Sequence, residues 1–344
     1  MIWLTVVAGA LIVSAAASYV LSRYRGRGTV LDPVNHRSLH TVPVPRLGGI
    51  GILLGILLAA VLVLAQGTGN APVVSLTLIV IAFVVVVAVS LLGDIRGVGV
   101  AGRLSGHILA ALLVVAAGLI LNRVPIGHDW ASMGVVTGSV VAVLLTVWLT
   151  NLYNFMDGMD GLAAGMGVFG FGAFAGLGVL SGHSGFAMFN AGVAAACCGF
   201  LLFNFPPAKI FMGDTGAASL GFLAAVTALW ANHQGLFPVW IAIVVFSPFI
   251  VDATWTLVRR VLRWEKPWQA HREHFYQRLV LKGWSHRRTM AWEYSMMALC
   301  VLLAFLLQGS ANLAIICTLV GALTLLYLGL IVAVNVLEAG RNAA

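Results

Sequence analysis

The chain has 344 residues, of which 61% are hydrophobic and 9% are charged, and its net charge is +8. Soluble globular domains carry about a quarter charged residues, so this composition excludes an ordinary soluble domain. Apolar runs of about 18–20 residues, each long enough to cross the hydrocarbon core of a bilayer, recur from one end to the other. The sequence therefore predicts an all-α, polytopic integral membrane protein.

About eleven membrane spans are predicted, the first beginning at Ile2. The basic stretch 23–27 follows the first span without a small-residue cleavage site, which favours a membrane helix over a removed signal peptide. The spans are expected at 2–22, 47–65, 73–92, 104–121, 134–150, 161–180, 186–203, 216–231, 236–257, 293–308 and 312–335. Residues 1–344 are expected to form a single transmembrane domain.

The basic residues predict the orientation. Threading the spans alternately places 18 of the 19 Lys and Arg residues on one side and only Arg123 on the other. By the positive-inside rule that side is the cytoplasm, which places the N-terminus outside and the C-terminus inside. Basic residues beside membrane spans favour membrane lipids with anionic headgroups over nucleic acid as partners. The predicted cytoplasmic loops are also those rich in Asp, Asn and His, and we expect them to form the active-site face: 23–46, 93–103, 151–160, 204–215 and 258–292.

The first two of these loops carry basic residues beside the membrane. Loop 23–46 contains His36 and His40 and ends at Arg46, and its basic residues suit a phosphate ligand. In loop 93–103, Asp94 lies where a span meets the cytoplasm, with Arg103 nearby. A solvated turn with local ion pairs is an equally good interpretation of that second loop.

Loop 151–160 combines carboxylates with amides. Asn151, Asn154, Asp157 and Asp160 recur at every third position, so a helical turn would present neighbouring members together. Such oxygen ligands suit a hydrated Mg²⁺ or the hydroxyl groups of a nucleotide sugar. A polar helix end with capping residues is the simpler alternative.

Loop 204–215 ends immediately before a predicted span. Asp214 lies where the free N–H groups and the dipole of the following helix favour a phosphate, and it could hold a Mg²⁺ that bridges a pyrophosphate. Lys209 is the only basic residue of the loop, and Phe211 could stack on a base. Plain N-capping of the next helix is the alternative.

Loop 258–292 holds nine of the basic residues. If 271–282 is helical, His271, His274 and Arg278 share one face, while Phe275 and Leu279 lie on a neighbouring one. The alternative is an amphipathic helix on the membrane surface with solvated charges.

Together these loops resemble those of the polyprenyl-phosphate N-acetylhexosamine-1-phosphate transferase family, glycosyltransferase family 4. The most specific segments are Asn154-Phe-Met-Asp-Gly-Met-Asp-Gly161 and Asn204-Phe-Pro-Pro-Ala-Lys-Ile-Phe-Met-Gly-Asp214. The resemblance covers almost the whole chain, with family-like loops in family-like order. It implies transfer of a sugar-1-phosphate from a UDP-N-acetylhexosamine to undecaprenyl phosphate, with release of UMP and with Mg²⁺, or Mn²⁺ in its place.

The same resemblance implies roles for individual residues. Asp94, Asp214 and His274 would be catalytic, and Asp214 would be the main Mg²⁺ ligand, with Asp157 as a second. The remaining residues that it implies in substrate binding are Arg46, Arg103, Asn154, Asp157, Asp160, Asn204, Lys209, Phe211, His271, Arg272 and Arg278. A homodimer is left open.

The sequence departs from the family pattern at two places. Gly93 stands where the family usually has the first of two aspartates, and Tyr276 and Gln277 stand where further histidines usually follow His274. The second departure resembles the branch that initiates O-antigen and lipopolysaccharide synthesis more than the phospho-N-acetylmuramoyl-pentapeptide transferases of peptidoglycan synthesis, which remain the alternative. A lipid or sugar transporter is a more remote alternative, because the spans are nearly free of charge and show no internal repeat.

Overall fold

The structure is a computed structural model that describes residues 2–24, 30–32, 43–67, 73–121, 123–126, 129–266, 269, 271–310 and 312–342. Over these residues the chain forms thirteen helices and four short strands. The helices are α1 Ile2–Arg23, α2 Gly48–Leu64, α3 Val73–Arg96, α4 Val100–Ala116, α5 Val135–Phe155, α6 Leu162–Leu180, α7 Ser184–Asn204, α8 Gly213–Gln234, α9 Val239–Val245, α10 Ser247–Leu262, α11 Phe275–Leu281, α12 His286–Gln308 and α13 Leu313–Asn342. The strands β1 Leu31–Asp32 and β2 Val44–Pro45 pair antiparallel, as do β3 Arg123–Ile126 and β4 Asp129–Ser132.

The prediction of a polytopic helical membrane protein is confirmed. In the described part of the chain, eight helices are long and apolar enough to cross a membrane, or nine if the bent pair α9–α10 counts as one span. Two shorter apolar helices, α2 and α4, have 17 residues each and lie at the second and fourth predicted spans. Every predicted span therefore has a helical counterpart, but the count of eleven crossings stays a prediction.

The segment predicted as a span over 236–257 is bent, because α9 and α10 meet at an angle of 80°. Pro248 lies in the first turn of α10 and has no N–H with which to bond the carbonyl of Val244. The hydroxyl of Ser247 donates to that carbonyl instead, at 2.7 Å. The carbonyl of Val244 therefore keeps a hydrogen-bond partner at the break between the two helices.

Helix α8 lies at the centre of the bundle, packed by α2, α3 and α5. Of its most apolar 18 residues, 94% are buried, whereas the corresponding figure for the peripheral α13 is 6%. Small residues allow the close approach: a methyl group at Gly49 would collide with the backbone of Gly216, and one at Gly221 with the carbonyl of Leu149. This packing fixes the N-terminus of α8 against the start of α2.

Several helices extend into the predicted loops. Helix α3 continues through Asp94, and α5 continues through Asn151 and Asn154, so these side chains project from regular helical turns. The helix predicted over 271–282 begins only at Phe275, and the residues before it are extended or bent. Regular helices therefore present Asp94, Asn151 and Asn154, which the sequence assigned to loops.

Candidate active site

The segments that precede α2 and α8 are joined by backbone hydrogen bonds. The N–H of Phe211 donates to the carbonyl of Pro45 at 2.7 Å, and the N–H groups of Gly48 and Gly49 donate to the carbonyls of Phe211 and Met212 at 2.9 and 2.8 Å. These bonds use N–H groups that the first turn of α2 would otherwise leave unpaired. They hold the N-termini of α2 and α8 side by side.

Asp94 of α3 caps the N-terminus of α8. Its side chain is fully buried and accepts hydrogen bonds from the N–H of Asp214 (3.0 Å), the N–H of Thr215 (2.8 Å) and the hydroxyl of Thr215 (2.6 Å). A carboxylate at this end of a helix is stabilised by the free N–H groups and the helix dipole. Asp94 therefore fixes the position of Asp214, and this geometry favours a positioning role over the direct contact with substrate that the resemblance implied.

Two arginines lie beside the two aspartates. Arg46 contacts Asp94 Oδ1 through Nε at 3.2 Å and Asp214 Oδ1 through a terminal nitrogen at 3.0 Å, and Arg103 pairs with the other oxygen of Asp214. The arginine side chains are about one-third exposed, at 33% and 28%. They can therefore meet an anionic ligand from solvent while Asp94 stays buried.

Gly93, the position where the family pattern has an acid, adjoins this cluster. A Cβ atom at Gly93 would lie 3.5 Å from Cδ of Arg103 and 3.6 Å from Oδ2 of Asp214, which are ordinary contact distances. The position therefore has space for the first atom of a side chain. With glycine there, Asp94 and Asp214 are the two acids that the arginine pair neutralises.

Gly213 lies against Arg46 and Asp94 in a backbone conformation that other residues rarely adopt. Its φ is +71°, and a Cβ atom would collide with the carbonyl of Arg46 and lie 3.0 Å from Asp94. We expect Gly213→Ala to lower the free energy of unfolding by about 1–2 kcal/mol from backbone strain, plus the cost of displacing Arg46. Thermal unfolding in detergent measures this change.

The matched control is Gly99→Ala, since Gly99 has a negative φ of −63° and open space around it. An equal loss of stability in the two variants would show that the crowding at Gly213 carries no special cost.

The segment 156–161 is tied to the loop before α8. Asp160 accepts from the N–H of Ala208 at 3.0 Å. Asn204 accepts from the N–H of Gly161 at 2.9 Å and donates to the carbonyl of Ile210 at 2.9 Å. The buried Asn204 amide thus links the two motifs that carried the family resemblance, and its predicted contact with the donor stays a prediction.

The regular spacing of Asn151, Asn154, Asp157 and Asp160 does not bring all four together. Asn151 faces α4, where its Oδ1 lies 3.2 Å from Nδ1 of His107. Its amide nitrogen donates to the carbonyl of Val147, at 2.7 Å. The helical continuation of α5 therefore separates Asn151 from the segment 156–161.

A cleft of about 820 Å³ opens beside this segment. Its volume is typical of sites for small organic ligands. The cleft combines basic and aromatic groups with a single acid, and the residues that define its character are Arg23, Asp160, Lys209, Phe211, His286 and Arg287. It therefore suits a planar ring joined to phosphate groups.

His274, which the resemblance placed in the catalytic set, is buried and held by Asp252 of α10. Its Nδ1 lies 3.1 Å from Oδ1 of Asp252, and its ring stacks on that of Tyr276 with centroids 5.9 Å apart. Nothing in the motifs pointed to Asp252, which belongs to an otherwise apolar predicted span. Asp252 lies four residues before Thr256 and eight before Arg260, and this helical spacing is the sequence signal from which the polar face could have been predicted.

The other predicted residues of this region differ in their surroundings. Arg278 is 4% exposed and donates to Asn335 of α13 at 2.7 Å, so it fastens α11 to the last helix. Arg272 is half-buried. The shared basic face predicted for His271, His274 and Arg278 is wrong, because α11 begins after His274.

His271 lies next to His274, with ring centroids 5.0 Å apart. Burial, reinforced by the neighbouring His274, lowers the pKa of His271 to about 4, so its ring is neutral near pH 7. The unfolded chain, with a usual histidine pKa of about 6.5, binds this proton first as pH falls. We expect stability to decline from about pH 6.5 towards pH 4, and His271→Gln to flatten part of that decline in thermal unfolding. An identical pH profile for the variant would contradict this assignment.

The side chains around Asp214 fit the implied Mg²⁺. Mg²⁺ commonly binds one or two protein carboxylates together with waters and substrate phosphates. Asp214 can serve in that way, since its side chain is 12% exposed and its arginine partners can turn to phosphates. Across the described residues no group of three His, Cys, Asp or Glu side chains forms a complete protein cage. The residues fit a metal shared with substrate, and Asp157 as a second ligand stays a prediction.

The fold and the site define a many-spanning helical membrane protein in which paired acids and arginines lie at one helix N-terminus. A family model described as "Glycosyl transferase family 4" matches residues 76–232. The chain belongs to this family, that of the polyprenyl-phosphate hexosamine-1-phosphate transferases.

Three relatives illustrate the range of the family. The chain is 30% identical to the "Probable undecaprenyl-phosphate N-acetylglucosaminyl 1-phosphate transferase" of Bacillus subtilis, over 76% of the chain and 72% of the relative. It is 32% identical to the "Decaprenyl-phosphate N-acetylglucosaminephosphotransferase" of Mycolicibacterium smegmatis, over 76% and 71%. It is 31% identical to the "Phospho-N-acetylmuramoyl-pentapeptide-transferase" of Shouchella clausii, over 72% and 78%.

Proposed function

We propose that this protein transfers an N-acetylhexosamine-1-phosphate from a UDP-sugar to undecaprenyl phosphate, giving undecaprenyl-diphospho-sugar and UMP. The observation that carries the proposal is the cluster of Asp94, Asp214, Arg46 and Arg103 at the N-terminus of α8. The names of the relatives support the same class of reaction. We further propose that the site faces the cytoplasm from a bacterial inner membrane, as the distribution of basic residues predicts.

The chemistry requires positioning and charge neutralisation more than a protein nucleophile. A phosphate monoester is largely ionised near neutral pH, so the lipid phosphate can itself attack the β-phosphorus of the donor. A new P–O bond forms to the lipid phosphate oxygen, and the bond from the β-phosphorus to the bridging oxygen breaks, releasing UMP. Arg46 and Arg103 would bind the phosphate oxygens of the two substrates. Mg²⁺, or Mn²⁺ in its place, held by Asp214 and the substrate phosphates, would neutralise charge on the UMP leaving group.

The donor nucleotide would occupy the neighbouring cleft. Phe211 would stack on the uracil ring, and Lys209 and Arg287 line the same cleft, where they can face the phosphates. Asp157 and Asn154 would contact the sugar from the adjoining segment, and His274 would lie near the donor's phosphate or sugar. Of the two departures from the family pattern, Gly93 is the one that concerns the mechanism. Glycine at this position is compatible with direct attack by the lipid phosphate, because that step needs no further aspartate as a base.

The second candidate is phospho-N-acetylmuramoyl-pentapeptide transfer, favoured by the relative of that name in Shouchella clausii. It shares the chemistry and differs in the sugar. Tyr276 and Gln277, which replace histidines of the family motif, favour the first candidate. We propose O-antigen, lipopolysaccharide or a related cell-envelope polysaccharide as the destination of the product.

The test is UMP release by the purified protein with undecaprenyl phosphate, Mg²⁺ and a panel of UDP-N-acetylhexosamines that includes the muramoyl-pentapeptide form. We expect release that requires both lipid and divalent metal, with one N-acetylhexosamine preferred. Preference for the muramoyl-pentapeptide donor would select the second candidate. Absence of UMP with every donor would contradict both and favour a protein without transferase chemistry.

A further inference from the structure

Helix α10 carries a buried polar face that the proposed reaction does not yet use. Asp252 and Thr256, one turn apart, are 4% and 1% exposed. The 80° bend before α10 separates its direction from that of α9. This polar face of α10 contacts residues 273–275 across about twenty residues of sequence.

One oxygen of Asp252 gathers three hydrogen bonds. Oδ1 lies 3.1 Å from Nδ1 of His274 and accepts from the N–H of Phe275 at 3.0 Å and from the hydroxyl of Thr256 at 3.2 Å. The same carboxylate therefore holds both the imidazole ring and the backbone that carries it. Because one bond goes to the ring of His274 and another to the N–H of the next residue, both the position and the rotation of the ring are restricted.

This arrangement favours the form of His274 in which Nδ1 carries the proton. Because a carboxylate oxygen can only accept, the contact with Asp252 forms when Nδ1 donates, and Nε2 of the neutral ring is then left with a lone pair. In the charged ring both nitrogens carry protons, and Nδ1 still donates to the carboxylate. In either state Nε2 is the nitrogen that remains for a substrate.

The ring is connected to the segment 156–161 through one aromatic side chain. Tyr276 stacks on His274, with ring planes 9° apart, and its hydroxyl lies so close to Gly158 that a methyl group there would collide with it. Burial raises the pKa of the Tyr276 hydroxyl well above its usual value, so Tyr276 stays neutral beside the imidazole. His274 is thus one ring away from the segment that carries Asp157.

We propose that Asp252 is a positioning residue for the transfer reaction, which acts by holding His274 in the Nδ1-protonated form and presenting its Nε2 to the donor substrate. This inference rests on the proposed function for its catalytic consequence. The protonation state that it assigns to His274 can be measured without turnover.

The first measurement is the ¹⁵N spectrum of histidine-labelled protein under mildly alkaline conditions, with His274→Gln identifying the signal among nine histidines. We expect wild type to show a neutral His274 ring protonated at Nδ1, and Asp252→Ala to shift it towards the Nε2-protonated form. Thr256→Val is the control, because it removes a different donor to the same carboxylate and leaves the imidazole contact. An unchanged signal in Asp252→Ala would overturn the assignment whether or not the enzyme is active.

The second measurement is kinetic. Asp252→Asn keeps the volume of the side chain and removes its charge, and we expect kcat to fall about 10- to 100-fold while KM for the lipid stays nearly unchanged. In a His274→Ala background the same change should cause no further loss of kcat, because Asp252 acts through His274. Losses that multiply in the double variant would show a structural role independent of the ring. If the wild-type protein transfers normally and the Asp252→Asn variant has the same kcat, this inference is refuted while the proposed function stands.

Discussion

Replacing Asp214 with alanine is expected to reduce sugar-phosphate transfer by at least about 10²–10³-fold while leaving the bundle assembled. Asp214 combines partial exposure with two arginine contacts, so it is the carboxylate best placed to share a metal with substrate phosphates. Its loss leaves Arg46 paired with Asp94 and leaves Arg103 partly solvated, so the fold loses little. The rate of UMP release, measured beside the thermal unfolding curve, separates the two effects.

Glu265→Gln is the matched control for charge removal. Glu265 is 38% exposed and pairs with Arg260 at 2.8 Å, away from the N-terminus of α8. We expect this variant to retain near-normal turnover, because ion pairs with an exposed partner contribute little. Substantial residual activity in Asp214→Ala, at the level of this control, would remove Asp214 from the catalytic site.

Asp94→Asn is expected to damage both stability and turnover. An amide in place of the buried carboxylate brings an NH₂ group towards the N–H donors of residues 214 and 215 and removes the charge facing Arg46. Leaving a buried donor without its acceptor costs about 1–3 kcal/mol. Because Asp214 then loses its fixed position, we expect kcat to fall by about 10- to 100-fold as well.

The hydroxyl of Thr215 tests the same network more gently. Thr215→Ser keeps the donor to Asp94 and should resemble wild type, whereas Thr215→Val removes one of the three hydrogen bonds and should fall between wild type and Asp94→Asn. Equal stability of the serine and valine variants would show that Asp94 does not hold the helix terminus in this way.

Much of the architecture could be predicted because hydrophobic length and charge asymmetry are local properties of a membrane sequence. The motifs around Asp157 and Asp214 also pointed to one region, and the structure brings their segments together through Asn204 and Asp160. The pairing of Arg46 with Asp94 was not predictable, because it depends on how α2 packs against α8 through glycines far apart in sequence.

The bend at α10 shows the limit of hydropathy more clearly. Asp252 is the only charged residue of the segment 236–257, and at the break the hydroxyl of Ser247 bonds the carbonyl that Pro248 cannot. Only the three-dimensional structure shows that Asp252 and His274 face each other. A lone acid in an apolar span is therefore weak evidence of a functional residue in the sequence, and it becomes strong evidence when its partner is visible in the structure.

The most direct test of the central claim follows the phosphorus atom that the reaction moves. A UDP-N-acetylhexosamine labelled with ³²P at the β-phosphate is incubated with the protein, undecaprenyl phosphate and Mg²⁺, and the lipid and aqueous phases are separated. We predict that label enters the lipid phase while unlabelled UMP appears in water, and that Asp214→Ala prevents both. Label that stays in water as UDP while the sugar enters the lipid would show glycosyl transfer instead, and would contradict the account.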